Sequence, residues 1–145
     1  LEAANAAPAC MGQYDHLHLT VVQKPEILAQ INAAFQKAVG DPNMQVTYGA
    51  PTVIYVSCKN EDEEIVKGCN AGVVMENMLL EAADLGLGAV YLFGVSQVLF
   101  ANEEITKLLQ IPEGFRTVSA IAVGTSADAL QERTLGTDKI STTTL

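Results

Sequence analysis

The chain has 145 residues, 49% of them apolar, and its 17 acidic against 8 basic residues leave a net charge of −9. That length and composition point to one globular domain over residues 1–145, able to bury roughly 70% of its unfolded surface. No apolar run approaches the ~20 residues that cross a bilayer, and so acidic a chain lacks the cationic footprint that nucleic acid or an anionic membrane surface requires, so neither is expected as a partner.

In chain order, Leu1 to Ala7 reads as the end of a helix stopped by Pro8. Because the first residue is not Met, the expectation is that an N-terminal segment is missing. Pro8 to His16 (PACMGQYDH) is a loop of small and polar residues. Leu17, Leu19 and Val21 then alternate with His18 and Thr20, the period of a half-buried strand. His18 falls on its other face as a surface or packed side chain, with no Ser, Cys or carboxylate spaced to make it a catalytic base.

Lys24-Pro25 opens a helix to about Val39, with Ile27, Leu28, Ile31, Ala34 and Phe35 on one face and Gly40 as the stop. GDPN is turn chemistry. After Gly49-Ala50-Pro51, the β-branched and aromatic run from Thr52 to Ser57 (TVIYVS) reads as a buried central strand. The acidic stretch KNEDEEIVKG lacks the oxygen-ligand spacing of a calcium loop and is expected as a solvated loop and helix start. The three cysteines, Cys10, Cys58 and Cys69, include no close-spaced pair. They suit reduced thiols in the cytoplasm better than a disulfide framework or a zinc site.

The stretch from Asn70 to Gly94 organises the chain. Val73, Val74, Met78, Leu79, Ala82, Ala83 and Leu85 recur at helical spacing, and the positions between them are mostly small or apolar. A helix apolar on most of its circumference is expected to be buried on most sides, in a core or at a subunit interface. Gly86 and Gly88 stop it, Ala89 to Phe93 forms a short buried strand, and Gly94 ends the strand where a ligand is expected. Asn102 caps a helix through Gln110 with Ile105, Leu108 and Leu109 inward. Ile111-Pro112-Glu113-Gly114 breaks it, and Thr117 to Val123 is a buried strand ended by Gly124. The tail from Thr125 to Leu145 is polar and holds Arg133 and Lys139. Helices and strands alternate, which gives an α/β or α+β sheet covered by helices on at least one face. No nucleophile with a matching base and no phosphate-cradling glycine motif is present.

Four segments in this order resemble the FMN-dependent nitroreductase family. They are Ala3-Ala4-x-x-Ala7-Pro8 before the LHLTVV strand, YGAPTVIYVS, the N-A-G-x-x-x-x-N-M-L-L-x-A-x-x-L-G-L-G helix at 70–88, and IPEGFRTVSAIAVG at 111–124. The resemblance implies an α+β fold with a central, mostly antiparallel sheet covered by helices. It also implies a homodimer with FMN at the subunit interface, reduced by NADH or NADPH, that passes electrons to nitroaromatic, quinone or flavin acceptors. The flavin carries the chemistry, so no catalytic side chain and no metal is expected. Carried over by position, cofactor contacts fall on the strand end Tyr91, Leu92, Phe93 and Gly94, with Phe93 where many members carry Glu. They fall also on the loop residues Pro8, Ala9 and Met11, and on Arg133 at the phosphate. The family's Arg-x-Ser-x-Arg phosphate arm is absent, which is expected if the N-terminal segment is missing, and the loop lacks the family's Asn to the flavin edge. A flavin-storing dimer without turnover, or a degenerate member that keeps only the fold, is the alternative reading.

Overall fold

A computed structural model describes residues 1–94, 98, 102–129 and 131–145. Among these residues, helices and strands with described bounds alternate: α1 (Glu2–Asn5), β1 (Leu17–Val22), α2 (Pro25–Val39), β2 (Thr52–Lys59), α3 (Glu64–Asp84), β3 (Gly88–Tyr91), α4 (Glu103–Leu108) and β4 (Phe115–Gly124). Two 3-10 turns, Cys10–Gly12 and Tyr14–His16, fill the loop before β1. The strands form one antiparallel sheet in the order β1-β2-β4-β3, so β2 and β4 lie in its interior. This is the α+β antiparallel architecture that the family resemblance implies.

The period of two along the central strands sorts the core into two layers. Val53 and Tyr55 of β2 and Ala120 and Ala122 of β4 face Leu28, Ile31 and Phe35 of α2 and Ile105 of α4. Val56 and Ile121 face the other way, against Ala4 of α1 and Ala71, Val74, Met75 and Met78 of α3. Helices therefore cover both faces of the sheet.

Helix starts and stops follow local chemistry. Pro25 opens α2, and Gly40 closes it in the left-handed conformation at φ 74°. The Asn102 side chain accepts the Ile105 amide at 3.1 Å and caps α4, which ends at Leu108 rather than at Gln110. Gly86, at φ 69°, ends α3 as expected. The amides of Gly86 and Leu87 then donate to the carbonyls of Ala83 and Ala82.

One expectation is met only in part within a single chain, and two need correction. Within one chain, helix α3 is buried on one stripe, through Lys67, Asn70, Ala71, Val74, Met75, Met78 and Ala82. Ala83 is exposed, and Leu80 and Leu85 are 61% and 62% exposed. A run apolar at nearly every position carries no period to say which face turns inward. Gly88 is the first residue of β3 rather than a stop, and a Cβ there would meet the Cβ of Ser126 at 3.1 Å. The strand ends at Tyr91, and Phe93 and Gly94 already have helical backbone, so Gly94 is not its terminator. The tail beyond Gly124 holds no helix or strand among its described residues.

Candidate functional site

The four expected strand-end residues come together. Tyr91, Leu92, Phe93 and Gly94 line one cleft of about 210 Å³, with Phe35 of α2 and Met44, Gln45, Val46 and Tyr48 of the segment before β2 opposite them. None of these nine side chains is charged. The Tyr91 and Phe93 rings stack at 6.3 Å with 19° between their planes, and both are exposed. Leu92 is fixed differently: its side chain is buried among the α2–α4 core, and its amide donates to the Ala120 carbonyl at 2.7 Å.

Helix α2 holds the opposite wall in place. Asn32 Oδ1 accepts the Val46 amide at 3.1 Å, Asn32 Nδ2 donates to Thr47 Oγ1 at 3.2 Å, and Gln36 Nε2 donates to the Met44 carbonyl at 2.9 Å. Tyr48 then adopts φ 55° and Gly49 φ 72°, two left-handed residues in succession. A left-handed tyrosine is uncommon and marks a locally imposed conformation. It leaves the Tyr48 ring 71% exposed at the mouth of the cleft. The turn read from the sequence, GDPN, stops at Asn43, and no role is assigned to residues 44–48 from sequence. The signal available was a Tyr-Gly pair directly before a buried strand, an aromatic where a polar turn residue is usual.

The loop residues Pro8, Ala9 and Met11 lie elsewhere. The Cys10 amide donates to Asn70 Oδ1 at 2.8 Å, which ties the loop to α3. The Tyr14 hydroxyl donates to the Ala7 carbonyl at 3.1 Å, and His16 Nδ1 meets Asp62 Oδ1 at 2.6 Å. Pro8 is exposed and Met11 is 89% exposed. The loop leads into β1, at one edge of the sheet, and is tied to the α3 side. The cleft sits at β3, the other edge, and is walled by α2. With strands about 4.8 Å apart, three spacings separate the edges by roughly 14 Å. No loop residue lines the cleft. Within one chain the two halves of the expected site do not meet.

Arg133 is exposed on the tail and does not line the cleft. Four other cations are committed to carboxylates: Lys59 to Asp15, Lys67 and Arg116 to Glu64, and Lys107 to Glu103. Among the described residues, Arg133, Lys24, Lys37 and Lys139 have no such partner. No group of three metal-ligating side chains occurs among the described residues, and no helix there is long and apolar enough to cross a membrane.

The sequence model of the nitroreductase family matches residues 1–125. The chain belongs to the nitroreductase family. A relative from Methanothermobacter thermautotrophicus, provisionally named an NADH dehydrogenase/NAD(P)H nitroreductase, is 32% identical over 132 residues. That match covers 88% of this chain, and the chain spans 64% of that relative's length. Two solved nitroreductases with bound FMN share the fold. The one from Bacteroides fragilis has a TM-score of 0.80 at 24% identity, covering 99% of this chain and 83% of its own. The one from Desulfitobacterium hafniense has a TM-score of 0.82 at 21% identity, covering 98% and 82%. The nitroreductase fold therefore extends over nearly the whole chain, including the strand end and the wall that faces it.

Proposed function

We propose that the chain is one protomer of a homodimeric FMN-dependent oxidoreductase that takes electrons from NADH or NADPH and passes them to nitroaromatic, quinone or flavin acceptors. The observation that carries this is the strand-end cleft of a nitroreductase-family chain, walled by Tyr48, Tyr91, Phe93 and Met44 and free of charged side chains. Such a lining fits a planar, largely apolar ring system, which aromatic faces hold by offset stacking. When bound, FMN supplies the hydride and electron transfer chemistry, which explains why no acid–base pair is needed beside it.

The chain's own residues bind and orient. Tyr91 and Phe93 cover the ring, and their mutual stacking limits their rotation. With the Leu92 amide committed to Ala120, the main chain of Phe93 and Gly94 supplies the donors at the ring edge. Phe93 offers no carboxylate there, so that contact is main-chain only. Arg133, without a carboxylate partner among the described residues, is the cation assigned to the phosphate. Pro8, Ala9 and Met11 complete the site from a second copy, because their own loop stands on the far edge of the sheet. The exposed apolar residues of α3 supply the interface that brings the copies together.

Titration of FMN into the purified chain, followed by flavin fluorescence, tests binding, and consumption of NADH or NADPH with a quinone acceptor tests turnover. Saturable uptake with turnover is the expected result. Bound flavin without pyridine-nucleotide oxidation would leave only a flavin store, and no uptake would reject the cofactor.

A further inference from the structure

We propose that Asn70 is the positioning residue of the cofactor site: from inside the central helix it sets the Cys10–His16 loop so that Met11 stands ready for the site of a second copy. This rests on the flavin reading above. Asn70 is 3% exposed, and apart from Lys67 the rest of the buried stripe of α3 is apolar. A polar side chain in such a layer costs stability unless it is hydrogen-bonded. Its Oδ1 accepts the Cys10 amide at 2.8 Å across 60 residues of sequence. The other end of the loop is held as firmly, by His16 Nδ1 on Asp62 Oδ1 at 2.6 Å, with side chains only 15% and 10% exposed.

What the two anchors enclose shows their purpose. Met11 has φ 53° and Gly12 φ 70°. A methionine adopts the left-handed conformation only where its surroundings impose it. Yet Met11 is 89% exposed, so this conformation contributes no core packing to its own chain. One buried polar anchor in the apolar stripe of α3 and one half-buried anchor thus hold a strained tip that presents an apolar, polarisable side chain to solvent. Fold stability gives no reason for that combination. A loop preorganised to meet an aromatic-walled cleft on another copy does, because fixing the tip beforehand removes its ordering cost from binding.

Amide hydrogen exchange at Cys10 and Gly12, whose amides donate to Asn70 Oδ1 and the Ala9 carbonyl, on the flavin-free full chain, together with FMN titration by fluorescence, tests the role. Asn70→Ala should speed exchange at these two amides and weaken FMN about tenfold, the effect of losing one hydrogen bond that holds the loop in place. Asn70→Asp keeps an acceptor at the same place and should restore both readouts to within about threefold. His16→Ala, which frees the other anchor from outside the core helix, should also weaken FMN with α3 still protected. Unchanged FMN affinity in Asn70→Ala and His16→Ala would overturn the proposal. So would a loss that Asn70→Asp fails to rescue, or one that tracks faster exchange throughout α3, since either marks a merely structural residue. A wild-type chain that takes up no FMN would overturn the flavin reading itself, and this role with it.

Discussion

Pro51 and Gly124 touch where β2 and β4 begin and end their pairing: a Cβ built on Gly124 would lie 2.8 Å from Pro51 Cδ and 3.8 Å from the Ala50 Cα. The proline ring is fused to the backbone and cannot swing aside. Gly124→Ala must therefore part the strand ends beside the Thr52–Val123 pair. We expect a destabilisation of about 1–3 kcal/mol, the usual cost of overpacking. Gly68→Ala is the control, because Gly68 lies within α3 and its added methyl meets nothing within 4 Å. That change should stabilise by up to about 1 kcal/mol through helix propensity. Urea midpoints of the two variants moving in the same direction would contradict this account of the glycines.

Stability should fall in alkali because of Cys58. The residue is fully buried on β2, where its thiol donates to the Lys67 carbonyl at 3.8 Å. Burial first, and the nearby Asp62 carboxylate second, push its pKa from 9.0 up to about 11, with Lys67 and Arg116 opposing. The folded chain thus holds this proton to higher pH than the unfolded chain does. The contribution is fully present below about pH 9 and is lost between 9 and 11, at most about 3 kcal/mol at ~1.4 kcal/mol per unit. Tyr55, buried on the same strand, is pushed in the same direction by desolvation. Cys58→Ala should flatten part of the decline in urea midpoint over this window. An unchanged slope would rule Cys58 out. The exposed Cys10 and Cys69 should react with a thiol reagent in the folded protein, and serine at either should shift stability by no more than about 0.5 kcal/mol.

How far the sequence reached depended on whether its signals were local. Helix α2 was legible residue by residue, because Pro25 and Gly40 bracket one apolar face whose members Leu28, Ile31 and Phe35 are indeed buried. The Asn102 cap was equally local, and so were the strands at 52–57 and 117–123, which extend to Lys59 and over Phe115–Gly124. Helix α3 failed in orientation, because its apolar residues surround it and the choice of inward face is made by Val56 and Ile121 across the sheet. In the candidate site, Tyr91 to Gly94 were singled out by the family resemblance and by a strand-then-glycine pattern whose boundary lies at Tyr91 instead. Tyr48 was not, since its place at the cleft comes from Asn32 and Gln36 reaching over from α2. The Asn70–Cys10 bond spans 60 residues and has no local signature at all.

Helix α3 leaves apolar side chains in solvent on the side away from the sheet: Ile65 is 71% exposed and Leu80 61%. A second copy covering this face would explain them, and a two-fold interface would place each changed residue twice. Leu80→Glu should therefore shift sedimentation from dimer towards monomer while circular dichroism keeps the helical signal. A wild-type chain that sediments as a monomer at micromolar concentration would reject the dimer, and a Leu80→Glu variant that remains a dimer would place the interface elsewhere.

Arg133 can be tested through the part of the cofactor it is assigned to. FMN and riboflavin share the ring and differ by a phosphate that carries about −1.5 to −2 charges near neutral pH. An exposed arginine on a chain of net charge −9 has little else to offset that charge locally, since Lys59, Lys67, Lys107 and Arg116 already face carboxylates. A charge-assisted bond to phosphate contributes about 1.5–3 kcal/mol, or about ten- to a hundredfold in affinity. Arg133→Gln should weaken FMN by about that factor and leave riboflavin unchanged, so that the preference for FMN collapses. Raising the salt concentration should mimic part of the effect on the wild type and little of it on the variant, because an exposed pair is screened. A variant that keeps the full preference for FMN over riboflavin would free Arg133 of this role and direct attention to Lys24, Lys37 and Lys139.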